Sequence, residues 1–512
     1  MPAEAGQRQM KPAEAEHRPM NDMREIGSEY HMDPADGGED LVSVLKCEAG
    51  AAGRGIRFLR CGRDALGFIA DEIARKGAEA AGGDGAGAAE EGASDVAGAA
   101  DVGAVGGCAA DAGAADAGAS AGGCTARTLY IPALCCDSMV LPFSRRGWHI
   151  EYYRLKSDLG ADTEHLCNLI DKAGTVDGAA DGTLSDAVEV PAPVVLVMNY
   201  YGLVATEEVR RCIRERCPDA VIIEDVTHRV FSPAEFLNDD ISADYHIGSI
   251  RKWMGVTDGS FVTGPEDMGD VTDATGASDA ATETAAATGA SGTPDVTEAA
   301  EAAEAAVAPA GIVTDFTRLR RQALLEKRDY IFSADRPQAL KDHFRGLFGE
   351  AEDSLEDGIH PMPMSDMARE ILKTCDLQGM RARRRENFRV LRECLAAGPL
   401  CGEIYEIQNP DAEVPDCPFM LPIVIHTDHI RESAHTAAGR SITRDRFENK
   451  LAARGVYAPV LWPIDAQAAE VCEVSRRFAQ NMLAFYIDQR YDADDMRYAA
   501  EVFGDELRAI LG

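Results

Sequence analysis

The chain contains 512 residues, of which 46% are hydrophobic, and it carries a formal net charge of −36 at neutral pH. This length is enough for two or three average domains or for one large two-lobed enzyme. An acidic chain repels a phosphate backbone and an anionic lipid surface, so we expect no nucleic acid and no membrane among its partners.

The sequence contains no stretch of about 18 apolar residues of the kind that spans a bilayer. Its amino-terminal stretch, MPAEAGQRQMKPAEAEHRPM, lacks the apolar core of a signal peptide, which predicts a cytoplasmic protein. The 14 cysteines are scattered, without a Cys-x-x-Cys pair or a zinc-like spacing. We therefore expect reduced thiols and no metal site.

Composition divides the chain into two folded regions with low-complexity segments around and inside them. Residues 1–40 are polar and predict a disordered tail. Three segments dominated by alanine, glycine and acidic residues have too few large apolar side chains to fold alone, and we interpret them as inserts: 81–123, 174–190 and 266–310. We expect a large domain over residues 41–330 and a small domain over residues 331–512.

Short apolar runs between the inserts predict buried strands. These runs are Thr128–Pro132, His149–Tyr153, Pro193–Asn199, Ala220–Glu224 and Phe261–Gly264. A helix is predicted over Asp64–Lys76, where Leu66, Ile69 and Ile73 recur at helical spacing. Apolar strands that alternate with helices indicate an α/β fold with a parallel sheet covered on both faces.

The pattern changes from Ile312 onward, where long charged segments predict helices over Ile312–Tyr330 and Met364–Leu395. A strand is predicted over Leu421–His426, between those helices and two further helical segments, Thr443–Arg454 and Asp492–Leu511. This part of the chain therefore predicts a smaller α+β lobe.

The strongest functional signal lies between Ala220 and Gly264. The apolar run places Asp225 at the end of a strand, where open parallel sheets bind ligands, and a Ser-x-x-Lys turn follows with Ser249 and Lys252. A lysine amine forms a Schiff base with a carbonyl cofactor, and a buried aspartate keeps a pyridine nitrogen protonated. The combination predicts a pyridoxal phosphate site. Taken singly, the three residues fit a helix cap, an ordinary turn and a solvated side chain.

A cofactor phosphate needs unpaired backbone amides at the start of a helix. The segment Arg60–Ala65 opens the first predicted helix and offers such amides, and Arg63 fits an added charge at the phosphate and an ion pair with an acidic neighbour equally well. His228, three residues after Asp225, is placed to hydrogen-bond the ring region, whereas a lone histidine more often has a structural role.

Two features near the small lobe have alternative interpretations. The arginine cluster of Arg381 and Arg383–Arg385 is consistent with an anion site, but a solvated helix face is the preferred interpretation. Tyr457 and Trp462 fit a substrate mouth and core packing equally well.

Several segments resemble the DegT/DnrJ/EryC1/StrS family of pyridoxal-phosphate enzymes, which are best known as sugar aminotransferases. The resemblance covers about three-quarters of the chain, without the tail and the inserts. The matching segments are Cys61–Leu66, Ile131–Gly147, Asn199–Gly202, Ile222–His228, Ile247–Trp253, Met364–Leu372, Arg383–Phe388 and Val456–Pro463.

The resemblance implies fold type I of the pyridoxal-phosphate enzymes, with a mixed, mostly parallel sheet in the large lobe and a smaller α+β lobe at the carboxyl end. It implies that Lys252 binds the cofactor and moves the substrate proton, that Asp225 pairs with the pyridine nitrogen and that His228 lies near the ring hydroxyl. It places three residues at the cofactor phosphate: Gly62, Arg63 and Ser249. A homodimer is also expected from the resemblance alone.

Three positions depart from the family pattern. Cys136 stands where many members stack an aromatic ring on the cofactor, and Asn199 stands where histidine is common. The lysine turn reads SIRKW instead of the usual serine–phenylalanine form. These departures keep the cofactor prediction but point to an acceptor other than a standard nucleotide sugar.

The leading functional hypothesis is an aminotransferase that moves an amino group from an amino-acid donor, expected to be glutamate, to a carbonyl acceptor such as a keto-sugar. Sugar dehydratases of the family replace the lysine, so the presence of Lys252 favours amino transfer. A non-catalytic or regulatory protein on the same scaffold is the competing hypothesis, motivated by Cys136 and the acidic inserts. Decarboxylation or aldol cleavage stays open, because substrate orientation decides the reaction.

Overall fold

A computed structural model describes residues 25–32, 38–80, 127–174, 191–238, 241–271, 313–355, 360–427 and 443–511. The predicted inserts lie outside the described residues, apart from residue 174 and residues 266–271. The first 24 residues of the predicted tail also lie outside them.

The large lobe is built on a seven-stranded sheet. Its strands are β1 (Gly55–Leu59), β2 (Thr128–Pro132), β3 (His149–Tyr153), β4 (Val194–Met198), β5 (Val221–Asp225), β6 (Tyr245–Ser249) and β7 (Ser260–Gly264). They lie in the order β1-β7-β6-β5-β4-β2-β3. Neighbours from β6 to β3 run parallel, and β7 is antiparallel to both of its neighbours.

The central strands are apolar because helices cover both faces of the sheet. All five residues of β4 are buried, as are all five of β6. The helices of this lobe are α1 (Leu41–Ala51), α2 (Gly62–Ala80), α3 (Asp137–Ser144), α4 (Thr163–Gly174), α5 (Glu207–Arg216) and α6 (Pro233–Leu237). The five predicted strands and the predicted helix over Asp64–Lys76 coincide with elements of this lobe to within a few residues, whereas β1 and β6 were not predicted as strands.

A helical hairpin follows the large sheet, formed by α7 (Asp315–Phe332) and α8 (Gln338–Asp353). The predicted helix over Met364–Leu395 is two helices, α9 (Asp366–Leu372) and α10 (Leu377–Ala396). The break occurs at Asp376, whose side chain accepts a hydrogen bond from the backbone of Gly379 and caps α10.

The small lobe contains three antiparallel strands in the order β10-β9-β8. Its elements are β8 (Tyr405–Ile407), β9 (Met420–Ile425), α11 (Arg444–Ala453), α12 (Ala466–Val471), α13 (Glu473–Asn481), β10 (Met482–Tyr486) and α14 (Ala493–Leu511). Phe503 of α14 meets Tyr405, Phe447 and Phe485 edge-to-face, so an aromatic cluster joins this sheet to its helices. The sequence predicted β9, α11 and α14 but not β8 or β10.

Residues 25–32, which fall within the predicted tail, contact both lobes. Ile26 pairs with Val456, and the backbone N–H of Gly27 donates to the Tyr491 hydroxyl. The backbone N–H of Met32 donates to the carbonyl of Leu324 on α7. This segment therefore belongs to the packed structure. None of the described helices is both long and apolar enough to cross a bilayer.

Candidate active site

The carboxyl ends of three neighbouring parallel strands create the candidate site. Asp225 is the last residue of β5, Ser249 is the last residue of β6, and Asn199 directly follows β4. Because parallel strands end at the same edge of a sheet, these polar residues are brought together although they are far apart in sequence. All three are buried.

Asp225 and its neighbour Glu224 have separate environments, because successive strand residues point to opposite faces of the sheet. Asp225 accepts a hydrogen bond of 2.8 Å from the Thr227 backbone N–H. Burial raises the pKa of Asp225, and the Lys252 ammonium opposes that shift. Glu224 accepts hydrogen bonds of 2.6 Å from Thr206 and from Arg229, which identifies it as a structural carboxylate.

His228 is a buried, neutral histidine. Burial holds its pKa well below the usual range, and the Lys252 ammonium adds to the effect. Its Nδ1 accepts a hydrogen bond of 2.8 Å from the Tyr201 backbone N–H, so the proton of the neutral ring resides on Nε2. The ring stacks on Phe419 with 4.3 Å between centroids and 13° between planes. Nε2–H is therefore a fixed hydrogen-bond donor.

Lys252 lies in the short 3-10 turn that follows β6, and its side chain is exposed to a cavity of about 290 Å³. Within the described ranges, it has no hydrogen-bond or ion-pair partner. Cys136 and His228 line the same cavity, so three of the predicted site residues meet there. The cavity wall also includes Trp462, for which a substrate mouth was one of two interpretations, and Tyr30, Phe419 and Tyr486, which the sequence did not indicate.

The next residue, Trp253, anchors the lysine turn. Its side chain is fully buried, and its Nε1–H donates a hydrogen bond of 2.6 Å to the Thr227 carbonyl. The Arg384 guanidinium lies over the Trp253 ring, 4.4 Å from its centroid, and donates to the Trp253 carbonyl. The interpretation of the arginine cluster as a solvated face is thus wrong for Arg384, which is completely buried and holds this turn in place.

The amino end of α2 faces Ser249. A Cβ atom added to Gly62 would lie 4.0 Å from the Ser249 Cβ, so the first turn of this helix and the serine border the same space. The Ser249 hydroxyl is buried and has no hydrogen-bond partner among the described residues. The Nε and Nη1 atoms of Arg63 are likewise buried and unpartnered in the described chain. A buried hydroxyl and guanidinium without partners at a helix start are the features expected of an anion site.

Arg251, which was not predicted as a site residue, adds a further cation to this region. It pairs with Glu352 of α8 through contacts of 2.5 and 3.1 Å, and its Nε is buried without a partner among the described residues. Arg320 of α7 lies 3.6 Å from the same carboxylate. Burial, together with repulsion from Arg251, lowers the pKa of Arg320 to about 10. Glu352 is thus shared by two arginines, and the Nε–H of Arg251 still has no acceptor among the described residues.

Cys136 occupies the N-cap position of α3 and lines the cavity as a half-buried thiol. Its sulfur lies 2.8 Å from the Ser138 hydroxyl oxygen. Trp462, for which substrate mouth and core packing were equally good interpretations, is buried and also lines the cavity. Tyr200 and Tyr201 pack edge-to-face against it.

No family model and no curated protein matches the sequence. Among solved structures, the chain is similar to PseC of Helicobacter pylori, an aminotransferase involved in the biosynthesis of pseudoaminic acid, with a TM-score of 0.51 and 10% identity over 95% of this chain and 100% of that one. It is also similar to DesI, determined in the presence of its TDP-sugar product, with a TM-score of 0.50 and 13% identity over 96% of this chain and 95% of that one. The chain shares their fold. The predicted fold class, fold type I of the pyridoxal-phosphate transferases, is confirmed.

Proposed function

We propose that the chain is a pyridoxal-phosphate-dependent aminotransferase and a divergent member of the DegT/DnrJ/EryC1/StrS family. The observation that carries the proposal is the convergence of Asp225, Ser249 and Lys252 at adjacent strand ends, beside the amino end of α2. The similarity of the fold to that of PseC and DesI supports the same conclusion.

The residues present fit the cofactor in charge and in hydrogen-bonding capacity. The unpartnered Ser249 hydroxyl and the helix start, with Gly62 and Arg63, match a phosphate, and the unpartnered Nε of Arg251 offers a further donor to an anion. A buried carboxylate at Asp225 matches a protonated ring nitrogen, since a neighbouring cation returns a buried carboxyl to its charged form.

Pyridoxal phosphate, when bound, supplies an electron sink for carbanion chemistry at the substrate. Lys252 would hold the cofactor through its free amine and then carry the proton to and from the substrate α-carbon. Neutral His228 would donate from Nε2 to an oxygen of the ring. The aromatic wall that contains Phe419 and Trp462 would exclude water, which strengthens the electrostatic contacts inside the cavity.

The proposed substrates are an amino-acid donor, with glutamate the first to test, and a small carbonyl acceptor. The TDP-sugar product of DesI makes a keto-sugar the leading acceptor class, and the departures at Cys136 and Asn199 favour one other than a standard nucleotide sugar. A homodimer is proposed as well, and light scattering at several protein concentrations tests it by the mass of the particle.

The test of the activity is a half-reaction with purified holoenzyme. With glutamate and no acceptor, we expect the cofactor absorbance to shift as one equivalent of 2-oxoglutarate appears. Lys252→Ala should abolish this exchange, and Lys156→Ala, which removes an exposed lysine elsewhere, should leave it unchanged. A protein that binds the cofactor but exchanges with no donor in a panel of 20 amino acids would instead be a non-catalytic relative, the alternative suggested by Cys136.

A further inference from the structure

Cys167 and Cys212 form a close thiol pair away from the candidate active site. Cys167 lies on α4 and Cys212 on α5, and their sulfur atoms are 2.8 Å apart. A disulfide bond has a length of about 2.05 Å, so the two sulfur atoms need to approach by less than roughly 1 Å to bond. Both residues are partly exposed, which lets a small oxidant reach them.

The two helices hold this pair in register. Asp171 and Arg216 lie four residues after Cys167 and Cys212, and the Arg216 Nε donates a hydrogen bond of 2.6 Å to Asp171. Because four residues are about one helical turn, the thiols and the ion pair form two successive rungs between the helices.

The apolar sides of both helices are fixed to the sheet. Leu166 and Ile170 of α4 are buried, as are Val209 and Ile213 of α5. These anchors flank the thiol pair on each helix, so the contact between the sulfurs is set by the packing of the large lobe and not by two mobile side chains.

We propose that Cys167 and Cys212 are a reversible disulfide site that joins α4 to α5 when the protein meets a peroxide. In the first step, one of the two thiols attacks hydrogen peroxide and becomes a sulfenic acid, with release of one water. In the second step, the other sulfur displaces the hydroxyl of that sulfenic acid, which forms the S–S bond and releases a second water. Two thiols are oxidised and one peroxide is reduced, and a dithiol reductant later restores the two thiols as it is itself oxidised to a disulfide.

The short distance between the two sulfur atoms favours the second step. Once one thiol is oxidised, its neighbour lies closer to it than a second peroxide molecule does, so closure of the disulfide is favoured over further oxidation.

The bond would act on the fold near the site. Thr206, the N-cap residue of α5, donates its hydroxyl hydrogen to Glu224, the neighbour of Asp225. The disulfide would close a loop with a sequence separation of 45 residues, which lowers the entropy of the unfolded chain. We therefore expect the oxidised protein to unfold at a higher temperature than the reduced protein.

The experiment treats the folded full-length protein with hydrogen peroxide, blocks free thiols with N-ethylmaleimide and maps peptides by mass spectrometry. We expect one cross-linked peptide pair that contains Cys167 and Cys212, removed by dithiothreitol, together with a rise in unfolding temperature. Cys212→Ser should lose the cross-link, and Cys217→Ser, which removes a partly exposed thiol at the end of α5, should keep it.

Circular dichroism of each variant separates loss of the cross-link from loss of the fold, and Cys167→Ser provides a second variant from the other helix. The proposal is overturned if the folded wild-type protein gives sulfinic acid or separate adducts at the two cysteines without a cross-link. It is also overturned if the cross-link persists in Cys212→Ser through another cysteine.

Discussion

The backbone N–H of Tyr201 is hydrogen-bonded to Nδ1 of His228 over 2.8 Å. Tyr201 adopts a φ of 60°, in the left-handed region. For a residue with a side chain, this backbone conformation costs roughly 1–2 kcal/mol of free energy. Trp462 packs against the Tyr201 ring with 5.4 Å between centroids. The large lobe and the segment before α12 thus hold an unfavourable backbone conformation that sets the orientation and the tautomer of His228.

Burial of neutral His228 makes folding stability depend on pH. The pKa of His228 is lowered in the folded protein, so below about pH 6.5 the unfolded chain binds a proton that the folded chain does not. Stability should therefore fall as the pH falls below 6.5, by on the order of 1 kcal/mol per pH unit for this group.

Urea unfolding of the cofactor-free protein between pH 5 and pH 7 measures that dependence. His228→Gln should reduce the slope by the stated amount, whereas His149→Gln, which alters an exposed histidine, should not. Equal slopes for the wild type and His228→Gln would contradict the assignment of His228 as buried and neutral.

Removal of the charge of Glu224 should mainly lower stability, whereas removal of the charge of Asp225 should mainly lower the transfer rate. Glu224→Gln leaves the Arg229 and Arg210 guanidiniums without their buried carboxylate and should lower the free energy of unfolding by about 3 kcal/mol. Asp225→Asn removes a carboxylate whose pKa is raised by burial, so it should leave stability unchanged or increased while it lowers the transfer rate at least 100-fold.

Chemical denaturation and single-turnover kinetics on both variants test this contrast. The assignment of roles fails if Asp225→Asn is the strongly destabilised variant and Glu224→Gln the inactive one.

Ser249→Ala should weaken cofactor binding without harming the fold. Its buried hydroxyl has no partner among the described residues. A hydrogen bond to a charged group contributes about 1.5–3 kcal/mol. Loss of such a bond in Ser249→Ala corresponds to a roughly 10- to 100-fold higher dissociation constant for pyridoxal phosphate. Ser260→Ala is the matched control, since the Ser260 hydroxyl donates to the Leu59 carbonyl, and its loss should cost about 1 kcal/mol of stability with unchanged affinity. Titration by absorbance, with thermal unfolding in parallel, distinguishes the two patterns.

Arg251 and Glu352 should have opposite effects on an anion at the start of α2. Arg251→Gln removes a cation and should raise the dissociation constant for the cofactor about tenfold. Glu352→Gln removes the negative charge that faces Arg251 and Arg320, so it should strengthen binding of inorganic phosphate and weaken the fold of the cofactor-free protein. Competition of phosphate with the cofactor measures both effects, and identical affinities in the two variants would show that these arginines do not face the anion.

Local pattern was sufficient to predict the apolar strands and the residues at their ends. The run that became β4 is apolar throughout, and the run that became β5 is apolar up to Glu224, so the position of Asp225 at a strand end follows directly from that pattern. In contrast, β10 continues directly from α13 without a turn signal, and β8 has only three residues, so neither stands out in the sequence.

The residues missed at the site are those whose role depends on distant partners. Arg251 is separated from Glu352 by 101 positions, and Tyr30 is separated from Arg384, which donates to its hydroxyl, by 354 positions. No local periodicity reports such contacts. The buried Arg384 was misinterpreted for the same reason, since a helix rich in arginine is usually solvated on that side.

The most direct test of the account is to locate the covalent attachment of the cofactor. Purified protein with pyridoxal phosphate is reduced with borohydride, digested and mapped by mass spectrometry, with Lys252→Ala treated in parallel. We predict a single labelled peptide that carries the cofactor on Lys252, with a visible absorption band that is absent from Lys252→Ala. Label on another lysine, or no band and no label in the folded wild-type protein, would contradict the assignment of the site.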